Sequence, residues 1–227
     1  MIESLARCLD AAILKPEFTL VETREALELC LRYDTLTACV RPCDIAVAKE
    51  MLAGSGTGVC VVLGFPHGDQ LSAGKADEAR RYVDLGVDEI DMVSNFGRAR
   101  SGEWGTFRDD IGAVAEVTRR AGIPLKVIGE TVHLDPEQTR RFVEAAVEAM
   151  ADYVKTSTGF NGAGADPETV RLMVETAAGR IKVKPSGGIR DAATARAYLE
   201  MGAHRLGVGY TSVPAICGEG AASGDGY

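Results

Sequence analysis

Short apolar runs alternate with amphipathic stretches along the whole chain. Valine and isoleucine dominate several of the runs, which is typical of parallel strands buried on both faces. Eight runs have the length of a strand, and they cover residues 9–14, 37–42, 58–66, 87–93, 123–131, 151–157, 180–186 and 203–209. The pattern therefore predicts eight strands with longer segments between them.

The segments between the strands have the spacing of amphipathic helices. Residues 19–34 place their apolar side chains on one helical face. Residues 135–150 and 166–179 both open on an Asp-Pro pair, in which the aspartate caps the helix and the proline occupies its first turn. Each predicted strand is thus followed by a candidate helix.

Eight strand–helix units in 227 residues predict an α/β fold, a single-domain TIM (β/α)8 barrel. A doubly wound open sheet is the alternative, but it usually has fewer strands, and no GxGxxG motif follows the first strand. The glycines of residues 54–58 precede a strand and predict a flexible turn. We expect the barrel to span residues 1–217 and a flexible, glycine-rich C-terminal tail to span residues 218–227.

Composition and charge exclude several classes of protein. A formal net charge of -8 argues against a nucleic-acid or membrane-surface partner, because such partners need a basic face. The six cysteines form no CxxC pair and predict reduced thiols rather than a zinc site or a disulfide framework. No signal peptide or membrane-spanning run is recognisable, so we expect a cytoplasmic protein.

Four predicted strands carry a charged residue in an apolar context: Asp91, Lys126, Lys155 and Lys184. In a barrel, alternate strand residues point inward and chemistry gathers at the C-terminal strand ends. Each charge alone could be structural, but together the four are expected to converge on one pocket. Three ammonium groups beside one carboxylate are unfavourable unless one of them loses its proton.

A buried lysine without its proton is a nucleophile. An ordinary lysine is almost fully protonated near neutral pH and cannot attack a carbonyl. A second ammonium group on the adjacent strand, together with partial desolvation, lowers the pKa of the first. We therefore expect a Schiff base at Lys155, perturbed by Lys184. Asp91 and a water molecule would move protons at the carbinolamine and enamine stages.

Five motifs resemble those of the deoxyribose-phosphate aldolase family, and they occur in order over nearly the whole chain: GFPHG (64–68), DEIDMV (88–93), LKVIGET (125–131), KTSTG (155–159) and VKPSGGIR (183–190). The resemblance implies a class I aldolase with a TIM barrel. It implies reversible cleavage of 2-deoxy-D-ribose 5-phosphate to acetaldehyde and D-glyceraldehyde 3-phosphate, without a metal or other cofactor. It also implies that the protein binds a small-molecule substrate and forms a homo-oligomer.

The resemblance assigns the Schiff base to Lys155, its perturbation to Lys184 and the proton relay to Asp91. It implies substrate contacts at Asp10, Cys39, Lys126, Thr158, Gly159, Gly187 and Gly188. Backbone N–H groups at Gly187 and Gly188, together with those at Gly207 and Gly209, are predicted to form a site for a phosphate. His67 and the terminal Tyr227 are further candidates.

Two strands depart from the family pattern. Ala11 and Ala12 stand where the family's first strand has His and Thr, and residues 207–210 read GVGY where the family has Gly-Ala-Ser-Ser. Each lost donor to a charged oxygen costs about 1.5–3 kcal/mol. One alternative is therefore a Schiff-base aldolase for an unphosphorylated or specialised aldehyde or sugar. A second is a phosphate-sugar isomerase or decarboxylase barrel with acid–base chemistry, which would not need Lys155 and Lys184 together.

Overall fold

A computed structural model describes residues 4–219 of the chain. Eight parallel strands form one sheet in the order β7-β6-β5-β4-β3-β2-β1-β8. The strands are β1 Leu9–Ile13, β2 Thr37–Val40, β3 Gly58–Leu63, β4 Glu89–Val93, β5 Leu125–Ile128, β6 Tyr153–Lys155, β7 Lys182–Lys184 and β8 Leu206–Gly209. A parallel bridge between Ser186 and Gly207 brings the two edges together. The predicted barrel is confirmed.

Helices follow the strands and surround the sheet. Within residues 4–219 they are α1 Leu20–Tyr33, α2 Ile45–Met51, α3 Ser72–Asp84, α4 Phe96–Arg100, α5 Trp104–Ala121, α6 Pro136–Glu148, α7 Pro167–Ala177, α8 Ala192–Glu200 and α9 Val213–Ile216. The Asp-Pro starts act as predicted, because the side chains of Asp135 and Asp166 accept hydrogen bonds from backbone N–H groups in the first turns of α6 and α7. No helix in the described range is both long and apolar enough to cross a bilayer.

Alternate strand residues belong to different layers. The outward-facing side chains of Ile90, Met92 and Val127 join the large core between the strands and the helices. The rings of Phe107 and Phe142 in that core meet edge to face at 6.1 Å. Inside the barrel a smaller apolar cluster contains Ala12, Leu14, Cys39, Cys60 and Val62. Buried charged side chains share the interior with this apolar cluster.

Strand register determines which charges meet. Asp91 of β4 pairs with Lys126 of β5, and Lys155 of β6 pairs with Lys184 of β7. Because β4 to β7 are consecutive neighbours, these four residues occupy one side of the barrel interior. The division between a barrel at 1–217 and a tail at 218–227 stays a prediction, since residues 220–227 lie outside the described range.

Candidate active site

Asp91 is the centre of a buried charged cluster inside the barrel. Its Oδ2 atom accepts hydrogen bonds from Lys155 Nζ at 2.8 Å and from Lys184 Nζ at 2.7 Å. Its Oδ1 atom accepts one from Lys126 Nζ at 2.7 Å. All four side chains are at most 1% exposed. The structure thus brings together the four charged residues that the strand pattern singled out.

Two further carboxylates and an arginine complete the cluster. Glu89 Oε2 lies 2.6 Å from Lys126 Nζ, and Asp10 accepts a hydrogen bond from Lys184. Arg205, just before β8, donates to Asp10 Oδ1 at 2.6 Å and to Glu89 Oε2 at 3.0 Å. No role was predicted for Glu89 or Arg205 from the sequence. Glu89 lies two residues before Asp91, and Arg205 lies two residues before Gly207. Because strand residues two apart face the same side, this spacing was the sequence signal that both side chains point inward.

The cluster holds one more cationic group than anionic groups when all are ionised. The cations are Lys126, Lys155, Lys184 and Arg205, and the anions are Asp10, Glu89 and Asp91. A buried excess charge is costly. Neutralisation of one lysine would balance the cluster.

The shifts in pKa follow from this arrangement. Burial alone would raise the pKa of Asp91, but the ammonium groups of Lys126, Lys155 and Lys184 outweigh it and hold that pKa well below its usual range. Burial would lower the pKa of Lys184, yet the carboxylates of Asp10 and Asp91 raise it. The same competition raises the pKa of Lys126 well above its ordinary value. The carboxylates therefore favour the charged forms of Lys126 and Lys184.

Two thiols lie against the cluster. Cys39 and Cys60 are paired across β2 and β3, and Cys60 Sγ is 3.3 Å from Asp91 Oδ1. A hydrogen bond with Cys60 lowers the pKa of Cys39, while burial raises that of Cys60. The potential ligand atoms of these two cysteines and Asp91 lie within 4.8 Å of one another. The lysine ammonium groups already bound to Asp91 make this a poor site for a metal cation.

Thr158, in the loop after β6, is hydrogen-bonded to a buried carboxylate. Its backbone N–H donates to Glu130 Oε1 at 3.0 Å, and its hydroxyl also donates to Glu130. Both hydrogen-bond donors of Thr158, a predicted substrate-binding residue, therefore point to a protein carboxylate. Gly159 follows with a φ of 82°, a left-handed conformation that suits glycine. Glu130 is a buried residue to which sequence analysis assigned no role.

The predicted phosphate-binding glycines lie at the neighbouring ends of β7 and β8. Gly187 and Gly188 have φ angles of 84° and 78°, and the Gly187 N–H donates to Gly207 O at 3.3 Å. A Cβ atom on Gly187 would approach Gly164 Cα to 2.9 Å, so the close passage of the loops requires glycine there. Gly209 is buried at the end of β8. The N–H of Gly207 donates to Pro185 O at 2.9 Å, so two of the four predicted phosphate donors, the N–H groups of Gly187 and Gly207, are hydrogen-bonded within the protein.

Beyond Gly209, the barrel rim is aromatic. The half-buried ring of Tyr210 meets Phe18 edge to face at 5.8 Å. Burial and the nearby carboxylates of Glu22 and Glu25 raise the pKa of the Tyr210 phenol. His67 is exposed on the loop after β3. Tyr227 lies outside the described residues, so its predicted contribution has no structural description.

The fold and the cluster together are typical of an enzyme: a (β/α)8 barrel with lysine side chains and carboxylates buried at its centre. Residues 38–224 match the model of the DeoC/LacD family of aldolases. The chain belongs to this family and is an aldolase, a carbon–carbon lyase. The match favours the aldolase prediction over an isomerase or decarboxylase barrel.

Relatives and solved structures agree along almost the full length. A deoxyribose-phosphate aldolase of Enterococcus faecalis is 40% identical over 98% of this chain and 99% of its own. One of Deinococcus radiodurans is 43% identical over 90% of this chain and 92% of its own. The solved aldolase QR15 superimposes with a TM-score of 0.88 at 35% identity, covering 96% and 95% of the two chains. A tetrameric deoxyribose phosphate aldolase from Aeropyrum pernix gives 0.83 at 28% identity, covering 93% and 89%.

Proposed function

We propose that this chain is a class I aldolase that cleaves 2-deoxy-D-ribose 5-phosphate reversibly to acetaldehyde and D-glyceraldehyde 3-phosphate. The nucleophile is Lys155, the perturbing cation is Lys184 and the proton relay is Asp91. The names and similarity of the relatives from Enterococcus faecalis and Deinococcus radiodurans support the substrate. The geometry of the buried cluster supports the three roles.

One observation carries the proposal: a single carboxylate oxygen, Asp91 Oδ2, binds two amines at 2.8 and 2.7 Å. Two ammonium groups so close repel each other, and neutralising one removes the excess charge of the cluster. Lys184 also contacts Asp10, which favours its charged form. Lys155 is therefore the amine that gives up its proton and reacts.

The reaction then uses residues that already touch. Lys155 Nζ attacks the aldehyde carbon C1 of the open-chain sugar, and loss of water gives an iminium ion. Asp91, acting through a water molecule, takes the proton from the C3 hydroxyl. As C3 becomes a carbonyl carbon, the C2–C3 bond breaks, and its electron pair moves to the iminium and forms an enamine. Glyceraldehyde 3-phosphate leaves. Protonation of the enamine carbon and addition of water release acetaldehyde, with Asp91 exchanging protons with the amine at each stage.

Borohydride trapping tests the proposal. In the presence of acetaldehyde, borohydride should reduce the Schiff base and leave an ethyl group on Lys155, which peptide mass spectrometry locates. Lys155→Ala should abolish both trapping and cleavage. Lys182→Ala is the matched control, because Lys182 is an exposed lysine on the adjacent strand β7. Trapping on another lysine, or full activity of Lys155→Ala, would disprove the mechanism.

A second candidate substrate is an unphosphorylated or specialised sugar or aldehyde, and the rim at β8 favours it. Residues 207–210 offer no serine hydroxyl, and Tyr210 packs on Phe18 at the end of the strand. The negative charges of Glu22 and Glu25 contribute to the raised pKa of the Tyr210 phenol, and they would also repel a phosphate there. The chemistry at Lys155 would be the same.

A comparison of kcat/KM for phosphorylated and free deoxyribose separates the two candidates. Weak discrimination, with Tyr210→Ser increasing the preference for phosphate, would favour the unphosphorylated substrate. A preference for phosphate of several orders of magnitude in the unaltered protein would exclude it. Self-association into a homo-oligomer is a further proposal, supported by the tetrameric relative from Aeropyrum pernix, and light scattering tests it.

A further inference from the structure

Glu130 is a buried carboxylate that contacts the loop following the proposed nucleophile. It lies just after β5 and is 1% exposed. It accepts hydrogen bonds from the Thr158 N–H at 3.0 Å, from the Thr158 hydroxyl and from Asn161 Nδ2 at 2.9 Å. We call these three residues the Glu130 clamp.

Each group that Thr158 and Asn161 direct at the Glu130 carboxylate is a hydrogen-bond donor. A backbone N–H, a hydroxyl and an amide NH2 can all donate at once only to a group with several acceptor sites. An ionised carboxylate has such sites, whereas a glutamine at position 130 would present its own NH2 group to at least one donor. Glu130 therefore fits this position by chemistry as well as by size.

The backbone at Glu130 supports the same role. Its φ of 50° and ψ of 58° are left-handed, which is uncommon for a residue with a side chain. Next to it, the N–H of Thr131 donates to Thr156 O at 3.0 Å, and the N–H of Gly129 donates to Lys155 O at 3.0 Å. Three consecutive residues after β5, 129–131, are thus hydrogen-bonded to Lys155, Thr158 and Thr156.

The clamp also reaches the loop after β3. Asn161 Nδ2 donates to Pro66 O at 2.7 Å, and the ring of Phe160 meets Phe65 edge to face at 5.1 Å. The N–H of Phe160 donates to Thr158 Oγ1 at 3.0 Å. Three strand-end loops, those after β3, β5 and β6, are joined around one carboxylate.

We propose that Glu130 is a positioning residue for the reaction: through Thr158 and Asn161 it holds the loop after β6 so that Lys155 meets the substrate carbonyl in the productive geometry. The inference rests on the proposed Schiff-base function. Glu130 touches no reacting atom in this account and acts through the loop. Displacement of a reacting group by about 1 Å can cost on the order of 100-fold in rate.

The test measures Schiff-base formation in a single turnover with acetaldehyde, quenched with borohydride at successive times. The amplitude counts competent sites, and the rate constant reports the positioning of Lys155. For Glu130→Gln we expect the rate constant and kcat to fall about 10- to 100-fold while the amplitude stays near that of the unaltered protein. A merely structural role would lower the amplitude and leave the rate per competent site unchanged.

Two more variants complete the design. Asn161→Ala removes one arm of the clamp and the link to Pro66, and should lower the rate constant about tenfold; it decides the question if Glu130→Gln fails to fold. Glu137→Gln, an exposed carboxylate on α6, should match the unaltered protein. Unchanged rate constants in the folded clamp variants would overturn the inference. Absence of trapping in the unaltered protein would instead overturn the proposed function.

Discussion

Lys126 and Lys155 carry the same group into the barrel but differ in their partners. Lys126 Nζ contacts both Asp91 and Glu89, at 2.7 and 2.6 Å, whereas Lys155 contacts the Asp91 oxygen that Lys184 also binds. Loss of Lys126 leaves buried carboxylates with fewer cations. Lys155 is the amine that gives up its proton in the proposed mechanism, so its loss leaves the numbers of cations and anions in the cluster equal. The two lysines should therefore contribute oppositely to stability.

This difference predicts the outcome of two methionine substitutions of similar volume. Lys126→Met should lower the free energy of unfolding by about 3–5 kcal/mol, the cost of breaking a buried ion pair. Lys155→Met should leave that free energy unchanged or higher while it abolishes trapping. Urea unfolding at neutral pH measures both. Equal losses for the two variants would contradict the assignment of Lys155 as the uncharged amine of the cluster.

Thr156 and Ser157 are adjacent buried hydroxyl residues with different hydrogen bonding. Thr156 Oγ1 accepts from Ser186 N at 3.0 Å and donates to Ser186 O at 3.2 Å, which joins the ends of β6 and β7. Ser157 Oγ is buried without a hydrogen-bond partner among the described residues. Thr156→Val should therefore cost about 1–3 kcal/mol, and Ser157→Ala should cost nothing or stabilise. Thermal unfolding of both variants checks the order, and a larger loss for Ser157→Ala would refute it.

At the scale of elements, the packing of β5 against α6 depends on Gly129, the residue that follows the strand. A Cβ atom at Gly129 would lie 2.4 to 2.7 Å from ring atoms of Phe142, which is fully buried. Gly129→Ala should therefore cost about 1–3 kcal/mol by overpacking and displace the adjacent Glu130. Chemical denaturation measures the loss.

Another glycine provides the control for that substitution. Gly112 lies inside α5, and a Cβ atom there would meet nothing within 4 Å. Gly112→Ala should stabilise the protein by roughly 0.5–1 kcal/mol, because alanine restricts the unfolded chain and favours the helix. If Gly129→Ala proved as harmless as Gly112→Ala, the packing between β5 and α6 would be looser than the structure indicates.

Element order followed from the sequence, but element ends did not. Every observed strand lies within a predicted apolar run, because burial on both faces demands apolar residues. The run 58–66 nevertheless contains a strand that ends at Leu63, since Gly64 turns the backbone to a φ of 63°. The run 180–186 contains a strand of three residues, Lys182–Lys184, and Pro185 follows it without an N–H to donate. The apolar residues extend beyond the last hydrogen bond between the strands, so they do not show where each strand ends.

At the scale of the whole molecule, the site was predicted where strand pattern and chemistry coincide. Asp91, Lys126, Lys155 and Lys184 stood out because charge is rare in a buried strand. Glu130 did not, because its partners Thr158 and Asn161 are about thirty residues away and only the closed barrel brings the three together. Partner identity across loops depends on three-dimensional register, which a single sequence does not contain.

The ion pairs that Asp10 makes across the closed barrel predict how the free energy of unfolding depends on pH. Asp10 joins β1 to Lys184 of β7 and to Arg205 beside β8. Burial would raise the pKa of Asp10, but these cations and Lys126 outweigh it and lower it. A carboxyl whose folded pKa is lowered adds stability above its unfolded pKa of about 3.9, and that stability is lost as the pH falls toward the folded value.

Asp10→Asn should therefore lower the free energy of unfolding by about 3–5 kcal/mol at pH 7, where the cations lose a charged partner. The difference from the unaltered protein should shrink as the pH falls below about 4, because the unfolded carboxyl then gains its proton and the linkage advantage disappears. Urea titrations across this range measure the two curves, with the exposed Asp109→Asn as a parallel control. A difference that stays constant from neutral to acid pH would mean that Asp10 stabilises the barrel by shape rather than by charge.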